Sequence, residues 1–210
     1  MSIYKMKKLF SLALFLLATF ILHAQDTDIL KAMEYYKGAS SLTAAVTRTK
    51  HTAAVTTDVT TQGTLYFKSP SRLSMIFEDD NDKLIMADGT FTMVTNGQKQ
   101  TAKGATLAQF QTLLAAFSVE FLNVASDNIT NAEVTTTADG NLRTVTITPV
   151  TDGGNKAKRR MLFTSFALTI DIKAQRIKSL RMNEHGTNYT QYDFTNFSLN
   201  TQVPDNVFIP

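Results

Sequence analysis

No cysteine occurs in the 210 residues. Disulfide staples are excluded, so the core alone must hold the chain together, and acylation of the chain itself, which needs a Cys just after a cleavage site, is excluded too. A long apolar run is also missing. The N-terminal one, Leu9 to Leu22, falls short of the roughly 20 residues that a membrane-spanning helix needs. Lys5, Lys7 and Lys8 precede it, and it closes on Leu22-His23-Ala24 before Gln25-Asp26 turns polar. A basic head, a short apolar middle and a small final residue make a secretory signal peptide. Residues 1–24 are expected to be cleaved, leaving one domain over residues 25–210. An excess of one charge then disappears as well. The three lysines are the only charges before residue 25; without them the 21 Lys and Arg fall to 18, against 18 Asp and Glu. A neutral mature chain has no electrostatic footprint for nucleic acid and no strong pull towards anionic lipid.

Catalytic constellations are missing too. Beyond His23 only His51 and His185 remain, with no His-x-x-x-His spacing, no Gly-x-Ser-x-Gly elbow and no phosphate-cradling glycine loop. Both histidines read as surface or turn residues. The run Glu78 to Asp82 lacks the glycine and the distal glutamate of a calcium loop, and reads as a solvated hairpin tip. Lys156, Lys158, Arg159 and Arg160 follow Gly153-Gly154 and read as a flexible loop, with docking of an anionic partner as the functional alternative. No catalytic residue, metal or cofactor is expected.

What the chain does have is alternation. After one amphipathic helix over 28–37 (Ile29, Leu30, Met33, Tyr36), ended by Gly38, the composition turns to Thr, Val and Ala. Leu65 and Phe67 share a face. So do Leu73, Met75 and Phe77, with Arg72 and Ser74 opposite. Asp88-Gly89 and Asn96-Gly97 are hairpin turns around Phe91 and Met93. Val145 and Ile147, then Phe166, Leu168, Ile170 and Ile172, then Leu180 and Met182 continue at period two, and a bulge is expected at Asn196-Phe197. Thr106 to Phe121 breaks the pattern: Leu107, Phe110, Leu113, Leu114 and Phe117 fall on one helical stripe.

About ten to eleven strands joined by short turns predict one antiparallel sheet in a β-dominated α+β fold. Two helices cannot cover a flat sheet of that size. A strongly curved sheet with a helix across its mouth solves the geometry and leaves an apolar cavity between them. The methionines, eight in the chain, suit a surface that repacks around different ligands.

Three stretches carry a family pattern. Gly63-x-Leu65-x-Phe67-Lys68-x-Pro70-x-Arg72, Asp88-Gly89 with Phe91, and Phe194-x-Asn196-x-x-x-Asn200-x-x-x-Pro204-x-x-x-Phe208-x-Pro210 together resemble the LolA family of periplasmic lipoprotein carriers. The resemblance implies an unclosed β-barrel with helices as a lid over an apolar cavity. It implies a soluble, monomeric carrier that receives acylated lipoproteins from an ATP-driven inner-membrane transporter and passes them to an outer-membrane acceptor. Leu65, Phe67, Leu73, Met75, Phe91 and Met93 would line the acyl-chain cavity. The same face extends the expected wall to Phe77, Val145, Ile147, Phe166, Leu168, Ile170, Leu180 and Met182, with the Leu107–Phe117 stripe as lid. Two positions depart from the family. Ser69 stands where an arginine often latches the lid, and the chain stops at Pro210 where the family often continues. A periplasmic sensor of lipid or lipoprotein occupancy is the second reading, and an enzyme on lipid or glycan the third.

Overall fold

Threonine and valine at alternating positions favour extended chain, because β-branched side chains pack well on a pleated surface. The computed structural model, which describes residues 27–78, 82–103, 107, 132–150 and 161–210, has eleven strands there. They are β1 (Ser41–His51), β2 (Val59–Lys68), β3 (Arg72–Phe77), β4 (Lys83–Ala87), β5 (Thr90–Thr95) and β6 (Gln98–Thr101), then β7 (Ala132–Asp139), β8 (Leu142–Pro149), β9 (Ser165–Asp171), β10 (Arg176–Asn183) and β11 (Tyr189–Leu199). Asp88-Gly89 and Asn96-Gly97 both have positive φ at each residue, as two-residue hairpins require.

The strands form one antiparallel sheet in the order β6-β5-β4-β3-β2-β1-β11-β10-β9-β8-β7. The chain therefore starts mid-sheet, steps out to the β6 edge, crosses to the β7 edge and steps back until β11 pairs with β1. That seam runs from Leu42↔Leu199 to His51↔Tyr189. Within it Thr43 faces Ser198 while Ala45 faces Thr195, so Asn196 and Phe197 share the place opposite Ala44. This is the bulge expected from the sequence, with Asn196 at φ 54°. Among the described residues nothing pairs with the outer edges of β6 and β7, so the barrel is unclosed.

The crossing from edge to edge belongs to residues 102–131. The helix expected at 106–121 falls in this connection; of those sixteen residues Leu107 is the one described, and it is helical and packs against the core. Phe110, Leu113, Leu114 and Phe117 lie outside the described residues, as do Lys156, Lys158, Arg159 and Arg160.

One face of the sheet carries the main core. Leu73, Met75 and Phe77 of β3 are buried there, as are Phe166, Leu168 and Ile170 of β9. A helix over residues 27–33, α1, followed by a 3-10 turn Glu34–Tyr36, lays Ile29, Met33 and Tyr36 on this face. Leu30, expected on the same stripe, is instead 44% exposed, because the next helical position turns about 100° away from Ile29. Gly38, at φ 74°, ends the turn.

The opposite face of β3 and β4 is not the polar surface expected. The C-terminal segment, with its 3-10 turn Asp205–Phe208, packs Val203 and Phe208 onto Ile85 and Ala87 in a second small core beside Tyr66. Ser74, expected on an open polar face, is wholly buried. Lys68 donates to Asp205 at 2.8 Å and Arg72 reaches both Asp205 and Asp88, pinning the segment down. That hydrogen bond from Lys68 holds the Asp205 carboxyl below its ordinary range.

Candidate functional site

The mouth of the sheet is set by α1. Its Met33, the following Tyr36 and Ala39 meet Leu42 of β1, Leu65 and Phe67 of β2, and Leu73 of β3. Ile177 of β10, with Phe194 and Phe197 of β11, closes the far wall. Together they enclose an apolar cavity of about 30 Å³. In a flat sheet β3 and β10 would stand about 19 Å apart, at roughly 4.8 Å per strand. A single small cavity can touch both only because the sheet is strongly curved. Ligand pockets that hold a whole small molecule measure roughly 300–1,000 Å³. The cavity is thus far smaller than a pocket that holds a whole ligand.

Four contacts among the described residues help to hold α1 and its 3-10 turn in place. The Ile177 amide donates to the Tyr36 hydroxyl at 3.0 Å, using a backbone donor at the β10 bulge between Ile177 and Ser179. Burial raises the Tyr36 phenol above its ordinary value, against the opposing pull of that bond and of Arg176. Tyr36 also packs edge-on against Phe197 with centroids 5.7 Å apart. The Arg176 guanidinium lies 3.0 Å over the Tyr35 ring, and Arg143 pairs with Asp28 at 2.9 Å. Ser69, the position of the family's latch, makes only a backbone bond to Ser40 among these described contacts. The contacts come instead from β8, β10 and β11.

Of the residues expected to line a cavity, Leu65, Phe67 and Leu73 do touch it. Met75, Phe77, Phe91, Val145, Ile147 and Phe166 lie deeper on the same face, as do Leu168, Ile170, Leu180 and Met182, all within the continuous core; Met93 packs against it half-buried. Ile177 was not among the expected residues. The bulge separates it from Leu180 by three positions, so period-two reading skips it.

The other end of the barrel is charged. Arg48 continues the inward row of Leu42, Ala44 and Val46, pairs with Asp82 at 2.9 Å, and lies 4.2 Å over the Phe77 ring. Asp82, read from sequence as part of a solvated tip, is 8% exposed and also accepts from the Asn96 amide. Asp79 to Asn81 lie outside the described residues. Burial lifts the neighbouring Tyr192 phenol too, with Arg48 opposing. The two histidines have structural partners: His51 pairs with Asp58 at 2.7 Å and stacks on Tyr189, while His185 donates to the Met161 carbonyl at 2.9 Å. Among the described residues no three His, Asp or Glu gather as metal ligands, and no helix is long and apolar enough to cross a membrane.

An unclosed antiparallel barrel with a helix across an apolar mouth agrees with what comparison of the sequence gives. The family profile described as outer membrane lipoprotein carrier protein LolA matches residues 37–210. The chain belongs to the LolA family. No curated protein matches its sequence. Among solved structures, LolA-like folds come back at low identity. A putative outer membrane lipoprotein-sorting protein domain from Vibrio parahaemolyticus shares 9% identity, with 86% of this chain and 94% of that one covered, at a TM-score of 0.45. A LolA superfamily protein from Nitrosomonas europaea gives 9%, 88% and 96%, at 0.43. The Mycobacterium tuberculosis lipoprotein LppX gives 10%, 86% and 97%, at 0.41. The LolA family is one of binding and carrier proteins.

Proposed function

We propose that this protein is a carrier of acylated lipoproteins outside the cytoplasm, working without a catalytic step. Residues 1–24 act as the signal peptide, and residues 25–210 act as one soluble, monomeric domain in the periplasm. Lipoproteins arrive from an ATP-driven transporter of the inner membrane and leave to an outer-membrane acceptor. The observation that carries this reading is the apolar cavity under α1, continuous with the inner face of the sheet.

The physics favours such a device. Each CH₂ kept from water is worth about 0.8 kcal/mol, so a lipoprotein with several acyl chains does not cross water with them exposed. A cavity of about 30 Å³ takes no acyl chain as it stands. Loading therefore displaces α1, and Leu65, Phe67 and Leu73 become the first wall the chains meet. Met75, Phe91 and Met93 lie behind them and repack as the chains go deeper. Release to the acceptor needs only a higher affinity there than in the carrier.

A charge in the deep wall is a poor test, because Met75 is fully buried and Met75→Asp would unfold the sheet. Ala39 is half-buried at the mouth, where a larger side chain fills space without disturbing the core. Titration with a fluorescent acyl probe is expected to saturate at one site in the wild type, and Ala39→Trp is expected to weaken binding at least about tenfold, which corresponds to about 1.4 kcal/mol. Equal binding by a folded Ala39→Trp variant would place the ligand elsewhere.

A further inference from the structure

Arg143 is a charge on an apolar face. In the strand registers it stands beside Ile170 of β9, which stands beside Ile177 of β10. Like Val145 and Ile147 on its own strand it faces inward, and its side chain is only 12% exposed. A guanidinium stays charged at any pH a cell meets, so it must keep a counter-ion or hydrogen-bond acceptors wherever it is buried.

The acceptors it has are unevenly spread. Nη1 donates to the carbonyls of Gly140 and Leu142, and Nη2 donates to Oδ2 of Asp28 at 2.9 Å. Nε is buried and, among the described residues, has no hydrogen-bond partner. Nε–H and one Nη2–H point the same way, and this is the edge that a carboxylate or phosphate takes with two parallel bonds. Asp28 occupies half of it.

Asp28 is also the partner that leaves. It sits 45% exposed in the first turn of α1, the element that must move for the cavity to open. From Asp28 to Tyr36 the helix covers about 12 Å. That matches the roughly 10 Å between Arg143 and Ile177, two strands apart. The helix thus lies with its acid over Arg143 and its tyrosine over the cavity wall. When it lifts, Arg143 loses its only carboxylate among the described residues at the moment the apolar wall opens beside it.

We propose that Arg143 receives the anionic group of an acylated ligand, and that Asp28 holds that place while α1 is closed. The ligand is an amphiphile whose chains enter at Ile177 and whose phosphate or carboxylate lies about 10 Å away, two strand spacings along the row. That anion is a phospholipid phosphate or an acidic side chain next to the acylated residue of a lipoprotein. Exchange of one anion for another keeps the arginine paired throughout. It couples release of α1 to cargo that carries the right head, and it does not depend on acyl chains alone. The inference rests on the carrier reading above and adds the chemistry of the head group to it.

The test compares affinities within matched pairs of probes, using the chain from Gln25. One pair is phosphatidylglycerol against the diacylglycerol with identical acyl chains, which lacks the phosphate. The other is a lipidated peptide with Asp against Asn beside its acylated cysteine. The wild type is expected to prefer the anionic member of at least one pair by about tenfold, the usual worth of a charge-assisted pair, and the pair that responds identifies the source of the anion. Arg143→Gln is expected to bring that ratio close to one, while Arg143→Lys keeps part of it. Asp28→Asn, which removes the competing acid from an exposed position, is expected to tighten anionic probes several-fold and leave the neutral ones less affected. A ratio near one in the wild type, an unchanged ratio in folded Arg143→Gln, or no gain in Asp28→Asn overturns the head-group assignment. Failure of every acylated probe to bind the wild type overturns the carrier reading as well.

Discussion

At the scale of single residues, several positions are fixed by what surrounds them. Gly63 of β2 pairs with Phe77 of β3, whose ring lies against its Cα. A Cβ there would fall onto the Ile76 carbonyl oxygen and within 2.8 Å of the Phe77 ring. Backbone cannot yield as a side chain can, so Gly63→Ala is expected to cost about 1–3 kcal/mol, seen as a lower midpoint in urea at unchanged slope. The glycine was visible in the sequence as part of the Gly-x-Leu-x-Phe stretch, but its reason lies on the neighbouring strand. Charged residues were the least legible. Asp82 read as part of a solvated tip, and no pattern in the sequence singled out Arg48 or Arg143, since charges are usually exposed. Each is nevertheless largely buried, because the strand alternation places both arginines inward and Arg48 draws Asp82 in with it.

At the scale of elements, alternation made most strands readable, and Asp88-Gly89, Asn96-Gly97 and the bulge at Asn196-Phe197 marked where they turn or slip. Two elements hid their partners. Leu84 to Ala87 is an unbroken apolar run, the mark of a strand covered on both sides. Its outer cover, Val203 and Phe208, belongs to a segment more than a hundred residues away whose side chains no local pattern aims. Phe208→Ala is expected to remove about 3 kcal/mol and to expose Ile85 and Ala87, so that amide exchange speeds up across β3 and β4 before the rest of the sheet. One of the contacts that hold the helix at the mouth is made by a hydroxyl. Tyr36→Phe leaves the Ile177 amide buried and unpaired, a cost of about 1–3 kcal/mol. Because the bond joins α1 to β10, the same variant is expected to load an acyl probe faster than the wild type, measured by stopped-flow fluorescence. An unchanged loading rate would mean that α1 does not gate the cavity.

At the scale of the whole molecule, the sheet order explains both the shape and its opening. A sheet whose first and last strands pair in its middle must carry the β6–β7 connection from edge to edge. The barrel is left unclosed, and among the described residues the strand pairing between its two halves is the β1–β11 seam. The fold class, the open barrel and the family were legible in the sequence through period-two patterning and the three motif stretches. The small size of the cavity was not, because packing density is decided by curvature that no strand shows alone. Alkaline stability is a property of this whole core. Tyr36 and Tyr192 are both raised by burial, one under the mouth helix and the other beside Arg48. In the unfolded chain they ionise near pH 10 while the folded protein holds them neutral, so their contribution is complete below that pH and declines above it. Unfolding free energy is expected to fall steadily above about pH 10, and less steeply in Tyr36→Phe.

The central claim is that the apolar face under α1 carries acyl chains outside the cytoplasm. Its most direct test is native purification of the protein from the envelope of its own host, followed by mass spectrometry of what remains bound to the wild type and to Ala39→Trp. The account expects acylated lipoproteins on the wild type, a marked loss of them from Ala39→Trp, and a mature N-terminus at Gln25. The same lipoproteins held equally by both proteins, or a protein that keeps residues 1–24 and carries no acylated molecule, would contradict it.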